Sequence, residues 1–519
     1  MDPQTIRKRR WTILYVLVVC LLVIVLDNTV LNVALKTIAD PAEGLGASQG
    51  QLEWAINSYT LVFAGLLFTF GVLGDRVGRK RMLIIGMVLF GLSSLISSYA
   101  QTPGQLILAR AAMGLGGAAV MPQTLSIIAN VFEPEERGRA IGIWAGAVGV
   151  GIAIGPITGG LLLDHFWWGS VFLINVPVVA AGIVAVTLVV PESRGQHMKL
   201  DFGGVLLSIA GLVLLTYGII EGGEKAAIAV PQVYGPIIAG VALLAFFVWY
   251  ESRIEHPSLN VRLFRDGRLS ASVGAIALVF FALGGVVLFV SLYLQNVRGF
   301  SPLQAGLLSL PLAAGQLLVS PRSATLVGRF GARAVAATGL VLVALALLSY
   351  HVSATVHSPI WLLEVTFFVQ GAGMGMVMPP ATTAVMSVLP RDQAGSGSAI
   401  NNIARQVAIA LGVAVLGSLV SSLYRSGMKP HLTALPARLR ETASESIGAT
   451  AGVADRLGPA GRVIMDPAHQ SFVHAMHVTS AISSAVALLG AFVVLKWMPG
   501  KTSGETPAPS IEQRETAEI

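Results

Sequence analysis

Two charged side chains lie inside long apolar stretches of the first 130 residues, where a charge is costly. Asp27 belongs to the stretch at residues 11–35 and Arg110 to the stretch at residues 104–131. An ionisable residue inside a membrane-spanning helix is by default a candidate functional residue. A carboxyl group can take up and release a proton, whereas arginine stays charged and can only bias a nearby carboxylate. The two residues predict proton exchange. The alternatives are that Asp27 only hydrogen-bonds neighbouring helices and that Arg110 only extends to the membrane surface.

A charged, glycine-flanked segment follows the second apolar stretch. Glycine permits a tight turn, and Asp75 is expected to cap the next helix and to pair with an arginine across a bundle interface. The alternative is a basic loop that only sets membrane topology. The candidate residues are Gly71, Asp75, Arg76, Gly78, Arg79 and Lys80.

A second glycine-rich segment lies in the fifth apolar stretch. Small residues at four-residue spacing predict a flat helix face for close packing, and the Gly-Pro step predicts a bend. The residues concerned are Gly151, Gly155, Pro156, Gly159 and Gly160.

The composition predicts a polytopic all-α membrane protein. Of 519 residues, 54% are hydrophobic and only 12% are charged, whereas soluble domains carry about 25% charged residues. Fourteen apolar runs are each long enough to span a bilayer. No nucleotide-binding or hydrolase motif is found, so an ATP-driven pump and an enzyme are disfavoured, and no cofactor is expected. The net charge of +7 comes from basic residues that flank the apolar runs, so nucleic acid is not an expected partner.

The positions of the basic residues predict that both termini are cytoplasmic. A faint repeat relates Asp75–Lys80 to Gly328–Arg333 and suggests two homologous halves. The expected organisation is a cytoplasmic N-terminal tail at 1–10, an N-terminal six-helix bundle at 11–190, an inserted helix pair with flanking loops at 191–268, a C-terminal six-helix bundle at 269–497 that includes an extracytoplasmic loop at 425–470, and a disordered cytoplasmic tail at 498–519.

These segments together resemble the signature sequences of the major facilitator superfamily. Trp168–Pro177 and Asp201–Gly204 add a resemblance to the fourteen-span drug:proton antiporters of the EmrB/QacA type. The resemblance implies two six-helix bundles plus two inserted helices, and export of drugs, antibiotics or other small amphipathic molecules in exchange for protons. It assigns coupling or substrate binding to Asp27, proton transfer to Arg110, conformational control to the segment around Asp75, and the antiporter motif to the segment around Pro156.

Further polar residues in the apolar stretches are weaker candidates. Glu364 is a candidate for coupling, unless it only faces water near a helix end, and Arg405 needs a polar partner because it lies deep in its stretch. Polar groups are also expected around an apolar cavity between the bundles. The candidates are Asn28, Asn32, Asn57, Gln123, Gln316, Asn401 and Asn402.

The expected partners are a small organic substrate, protons and the lipid bilayer, with a monomer as the functional unit and no metal site. The resemblance and the Ala/Gly/Val-rich composition favour a bacterial cytoplasmic membrane. Export of a specific endogenous metabolite, a self-made antibiotic or a lipid remains the main alternative, followed by a membrane sensor that transports nothing.

Overall fold

The computed structural model describes residues 3–194, 201–225, 230–254, 261–388 and 394–498. Its regular structure is helical throughout these ranges. The helices are α1 (Pro3–Ala39), α2 (Gln49–Val77), α3 (Arg79–Ser98), α4 (Pro103–Val131), α5 (Pro134–His165), α6 (Ser170–Leu173), α7 (Asn175–Val189), α8 (Phe202–Lys225), α9 (Pro231–Glu251), α10 (Gly267–Leu292), α11 (Pro302–Leu308), α12 (Leu310–Phe330), α13 (Ala332–Ser353), α14 (Ile360–Val388), α15 (Ala394–Met428), α16 (Ala437–Glu445), α17 (Ile447–Leu457) and α18 (Met465–Trp497).

The predicted all-α membrane fold is confirmed. Within the described residues, twelve helical segments are long and apolar enough to cross a membrane, and α2 qualifies as a pair of segments that meet at 54°. Helix α5 has 32 residues. The count of fourteen spans stays a prediction.

The helices form two bundles and a separate pair. In the first bundle α1 packs on α5, α4 and α7, and α4 packs on α2 and α3; in the second, α14 packs on α12 and α13, and α10 on α15 and α18. Helices α8 and α9 pack on each other, and α8 also contacts α2 and α15. The predicted residue boundaries between these units stay predictions.

Helix direction alternates along the chain, so the connections gather at two ends. We call the end with residues 78, 132–133, 190–194 and 331 the N-terminal face, and the end with residues 40–48, 99–102, 166–169, 298–301 and 354–359 the distal face. Two helices that begin at the distal face have strong caps. Ser48 and Ser301 each form a capping box with the glutamine three residues later.

Two segments that were expected to be a tail and a loop contain helices. Helix α1 already begins at Pro3, so the expected tail at 1–10 is largely part of it. The expected loop at 425–470 is folded: α15 runs to Met428, and α16 and α17 bury Ala443, Ile447 and Val453 at their contacts. A search for runs of about 17–25 apolar residues cannot detect such short helices. The expected disorder at 498–519 falls almost wholly outside the described residues.

Candidate proton-coupling site

A fully buried ion pair lies in the first bundle. Asp27 on α1 and Arg110 on α4 are 2% and 1% exposed, and Arg110 Nη1 donates to Asp27 Oδ2. Asn175 Nδ2 donates to Asp27 Oδ1 at 3.1 Å and to Ser94 Oγ at 3.1 Å. Arg110 Nε donates to the carbonyl oxygen of Ala55 at 3.1 Å. Five helices therefore contribute to one polar cluster, and both predicted charges are in it.

Aromatic and small residues seal this cluster from water. The Arg110 guanidinium carbon lies 4.5 Å from the centre of the Tyr59 ring and 6.0 Å from that of Phe172. Helices α2 and α4 approach closely because glycines face Tyr59: a Cβ at Gly114 would overlap its carbonyl oxygen, and one at Gly117 would lie 2.8 Å from its hydroxyl. A cation over an aromatic face gains about 2 kcal/mol or more when it is desolvated.

The chemistry of such a pair follows from its burial. Either charge alone would be expensive in this environment, and removing one partner of a buried pair typically costs about 3–5 kcal/mol. A proton that binds Asp27 neutralises it and frees Arg110 from its main partner. A change in the charge of Asp27 would therefore alter the contacts that hold these helices together.

The charged turn between α2 and α3 is held within the first bundle. Gly78 has a φ of 122°, a conformation that side-chain-bearing residues rarely adopt. Arg79 Nε donates to Asp75 Oδ1 at 2.7 Å, and Lys80 Nζ donates to the carbonyl oxygen of Thr187 at 2.7 Å. Gly71 lies 3.7 Å, measured from a Cβ built on it, from Pro122 of α4. Arg76 is half-buried in the last turn of α2.

The expectation for Asp75 is corrected on two points. Gly78, not Asp75, is the N-cap of α3. No side-chain hydrogen bond caps this helix. Asp75 lies inside α2 with Arg79 four residues later, so its carboxylate pairs locally instead of across a bundle interface.

The glycine face of α5 packs closely as predicted. A Cβ added to Gly151 or Gly155 would collide with Val25 or Thr29 of α1, and one added to Gly159 would be in tight contact with Val30. The same helix meets the second bundle. A Cβ at Gly160 would overlap the backbone of Leu303 in α11, and one at Gly306 of α11 would overlap the carbonyl of Pro156.

The four polar candidates of the first bundle have different surroundings. Asn28 and Asn32 are half-buried and donate to carbonyl oxygens one turn earlier in α1. Gln123 is fully buried against Gly74 and donates to the carbonyl of Phe70 at 2.8 Å, so it joins α4 to α2. Asn57 is fully buried, and neither amide atom has a hydrogen-bond partner among the described residues.

The candidates of the second half do not join the ion pair. Arg405 donates to Asn402 Oδ1 at 2.9 Å and lies 5.7 Å from the ring centre of Phe280. Asn401 and Gln316 are half-buried on α15 and α12, and Glu364 is half-buried in the second turn of α14.

Hydrogen bonds join the two bundles at the distal face. Lys36 Nζ donates to the carbonyl of Gln295 at 2.9 Å, Gln295 Nε2 donates to that of Val33 at 2.9 Å, and Ser291 Oγ donates to that of Asn32 at 2.6 Å. We call Lys36, Ser291 and Gln295 the distal clasp. Gln295 lies in a π-helical turn at Tyr293–Val297, a geometry frequent at functional sites.

A further contact at this face joins Ser301 Oγ to Asp164 Oδ2 at 3.2 Å. At the N-terminal face, no hydrogen bond or ion pair between the two bundles is found within the described ranges. The direct polar contacts that join the two bundles therefore lie at the distal face.

Sequence reasoning missed two residues. Asn175 bridges Asp27 and Ser94; its position in an apolar stretch was the available signal. Glu53 lies in the second turn of α2, close to the helix end, yet it is 1% exposed and its carboxyl group lies against Gly417 of α15. Its burial depends on helices that are distant in sequence, so hydropathy could not identify it.

Comparisons with known proteins agree with this architecture. The sequence matches the family model of the Major Facilitator Superfamily over residues 17–413. The methyl viologen resistance protein SmvA of Salmonella typhimurium is 33% identical over 497 residues, covering 94% of this chain and 98% of that protein. The multidrug efflux pump LfrA of Mycolicibacterium smegmatis is 34% identical over 503 residues, covering 95% and 97%. The tetracenomycin C resistance and export protein of Streptomyces glaucescens is 31% identical over 507 residues, covering 94% and 92%.

A solved structure shares the fold. A bacterial homologue of the human lysosomal transporter Spinster, in an inward-facing and unoccupied conformation, gives a TM-score of 0.66 at 18% identity, covering 96% of this chain and 99% of that one. At that identity the likeness shows the fold alone. The family match spans most of the chain and the relatives cover nearly all of it, so the chain is a multi-pass membrane transporter, not an enzyme, and belongs to the major facilitator superfamily.

Proposed function

We propose that the protein exports drugs, antibiotics or other small amphipathic organic molecules across a bacterial cytoplasmic membrane in exchange for protons. The observation that carries the proposal is the buried Asp27–Arg110 pair, which places one protonatable group under the control of one permanent cation. Proteins that are similar to nearly the whole chain are named as drug-resistance and efflux proteins. These names support export as the direction of transport and drugs as the substrates.

The coupling step is an exchange of partners at Asp27. While Asp27 is ionised, Arg110 and Asn175 hold it, and the helices that carry them stay together. A proton from the distal side neutralises Asp27 and weakens the bond to Arg110, which permits the helices to rearrange. Its release towards the N-terminal face restores the pair. In this scheme the N-terminal face is cytoplasmic, both termini lie there, and the monomer is the working unit.

The available driving force is sufficient for steep export. One charge moved across 100 mV is worth about 2.3 kcal/mol, and each pH unit of gradient adds about 1.4 kcal/mol per proton. No nucleotide is needed for a gradient of this size.

A second candidate function has specific support. Two relatives, the tetracenomycin C resistance and export protein and a probable actinorhodin transporter of Streptomyces coelicolor, are named for single compounds. Export of one self-made antibiotic or metabolite would use the same coupling site with a narrower cavity. A panel of competing substrates separates the two, because only a multidrug exporter transports chemically unrelated compounds.

The decisive experiment is substrate-induced proton release from purified protein, followed by uphill export in vesicles with an imposed pH gradient. The wild type should release protons when substrate binds and should accumulate substrate against its gradient. Export that is unaffected by collapsing the pH gradient and the membrane potential would contradict proton exchange. Reporter fusions at residue 519 test the orientation, and an extracytoplasmic signal would overturn it.

A further inference from the structure

A second buried carboxyl group lies in the seam between the two bundles. Glu53, in the second turn of α2, is 1% exposed, although it is close to the distal face. It fits there because α15 offers a glycine: a Cβ on Gly417 would overlap the carboxyl group of Glu53. Gln49 Nε2 lies 3.5 Å from Glu53 Oε1. The residue is thus buried by the contact of one bundle with the other.

The rest of this seam contains buried polar atoms that the contact leaves unsatisfied. Asn57, one turn from Glu53, is fully buried with both amide atoms unpartnered among the described residues. Leu61, one further turn along, belongs to an apolar cluster with Ala410 of α15 and Leu212 of α8. Ser421, one turn from Gly417, has a buried hydroxyl without a partner in the described ranges. Buried polar atoms without hydrogen-bond partners weaken the contact between the helices. Water can form hydrogen bonds to these atoms once the contact opens.

Several charged groups with described side chains on the helices around α2 have defined partners or positions. Glu221 and Lys225 of α8 pair with each other at 2.7 Å, Arg110 of α4 is held by Asp27 and Ala55, and Lys36 of α1 bonds to Gln295. Asp75 of α2 itself and Arg79, Lys80 and Arg81 of α3 lie at the opposite end of the bundle. Arg425 lies two turns beyond Gly417 on α15, and Arg405 lies three turns before it.

We propose that Glu53 is a proton-controlled gate residue: the distal seam between α2 and α15 closes when Glu53 is protonated and opens when it is ionised. The reason is that burying an ionised carboxylate costs far more than burying the neutral acid. Closing takes one proton from the medium at the distal face to give the carboxylic acid. Opening returns that proton to the same medium, so Glu53 links acidity to the gate without carrying protons across the membrane.

The proposal gives the proton gradient a second role. In the orientation proposed above, the acidic side of the membrane is the distal side. Acid there favours closure after the substrate has left, which resets the transporter for the next molecule. The inference rests on the alternating opening of the two bundles but not on the identity of the substrate or on the role of Asp27.

The test measures the distal opening directly, in the absence of substrate. Spin labels are attached at Ala42→Cys and Val352→Cys, exposed positions on opposite bundles at the distal face, in a Cys20→Ser background. In the wild type, raising the pH should increase the population with a long distance between the labels. Glu53→Gln, a neutral mimic of the protonated acid, should keep the short distance across the pH range. Glu43→Gln, an exposed glutamate at the same face, should behave as the wild type.

A second variant protects the test against misfolding of the first. Gly417→Ala adds a Cβ where the carboxyl group lies, so it should increase the long-distance population at every pH. An unchanged pH dependence in Glu53→Gln would overturn the proposal, as would an identical distance distribution in Gly417→Ala and the wild type. Neither result depends on export, so failure of proton-coupled transport at Asp27 would be recognised separately.

Discussion

The two halves of the transporter share a backbone turn but differ in the chemistry attached to it. Gly78 and Gly331 both have positive φ, 122° and 85°, and each joins two long helices at the N-terminal face. In the first half Arg79 pairs with Asp75. In the second half Arg333 donates instead to the carbonyl oxygen of Met498 at 2.6 Å, just after α18.

The same contrast holds in the interior. Arg110 is paired with a carboxylate, whereas Arg405 bonds to the neutral side chain of Asn402. The buried ion pair therefore lies in the first half, whereas the intramembrane arginine of the second half has a neutral partner. Four predictions break or sharpen this contrast.

The largest effect is expected at Asp27. Asp27→Asn removes the titratable charge while keeping the shape, so it should abolish uphill export and substrate-induced proton release. It also leaves Arg110 buried without its anion, which costs about 3–5 kcal/mol of stability. Transport in vesicles and thermal unfolding measure the two effects. Asp27→Asn with Arg110→Met should regain stability but not export.

The matched control is Asp455→Asn, an exposed aspartate on α17, which should leave both measurements unchanged. A neutral substrate should still bind Asp27→Asn. Full gradient-driven export by that variant would remove Asp27 from the coupling step and transfer the role to Glu364.

The next largest effect is expected at the contact of α5 with α1. Gly155→Ala places a Cβ against Thr29, and overpacking of this kind typically costs about 1–3 kcal/mol. Gly328→Ala in the other half meets no atom within 4 Å, so it should be neutral or slightly stabilising. Unfolding temperatures compare the two, and equal shifts would show that the close packing is not what makes glycine necessary.

A smaller effect is expected at the charged turn. Asp75→Asn removes the charge that pairs with Arg79, a helical ion pair of a kind worth about 0.5 kcal/mol, so turnover should fall several-fold while substrate binding is largely kept. Arg333→Gln in the other half should slow turnover less, because its acceptor is a carbonyl. Turnover in vesicles and equilibrium binding measure this pair, and normal turnover by Asp75→Asn would remove its role in conformational exchange.

The smallest effect is expected at Arg405. Its interactions are one hydrogen bond to Asn402 and a contact with the ring of Phe280, so Arg405→Gln should reduce export by less than about tenfold, the factor that corresponds to about 1.4 kcal/mol. Arg110→Gln should reduce it far more. A loss as complete as that of Arg110→Gln would show that the second half also takes part in charge exchange.

The sequence by itself was enough for the membrane class, the two intramembrane charges and the glycine face of α5. The physical reason is that each of these signals is local: a charge in an apolar run, or small residues at helical spacing, has one main explanation within a bilayer.

Only the tertiary structure decided what these residues contact. It pairs Asp27 with Arg110 across 83 residues, brings in Asn175 from α7, and joins Lys36 to Gln295 across 259 residues. It also buries Glu53, which the sequence places near a helix end, because the second bundle covers that position. Burial between the bundles depends on which helix packs opposite a residue. The hydropathy of the sequence does not contain that information.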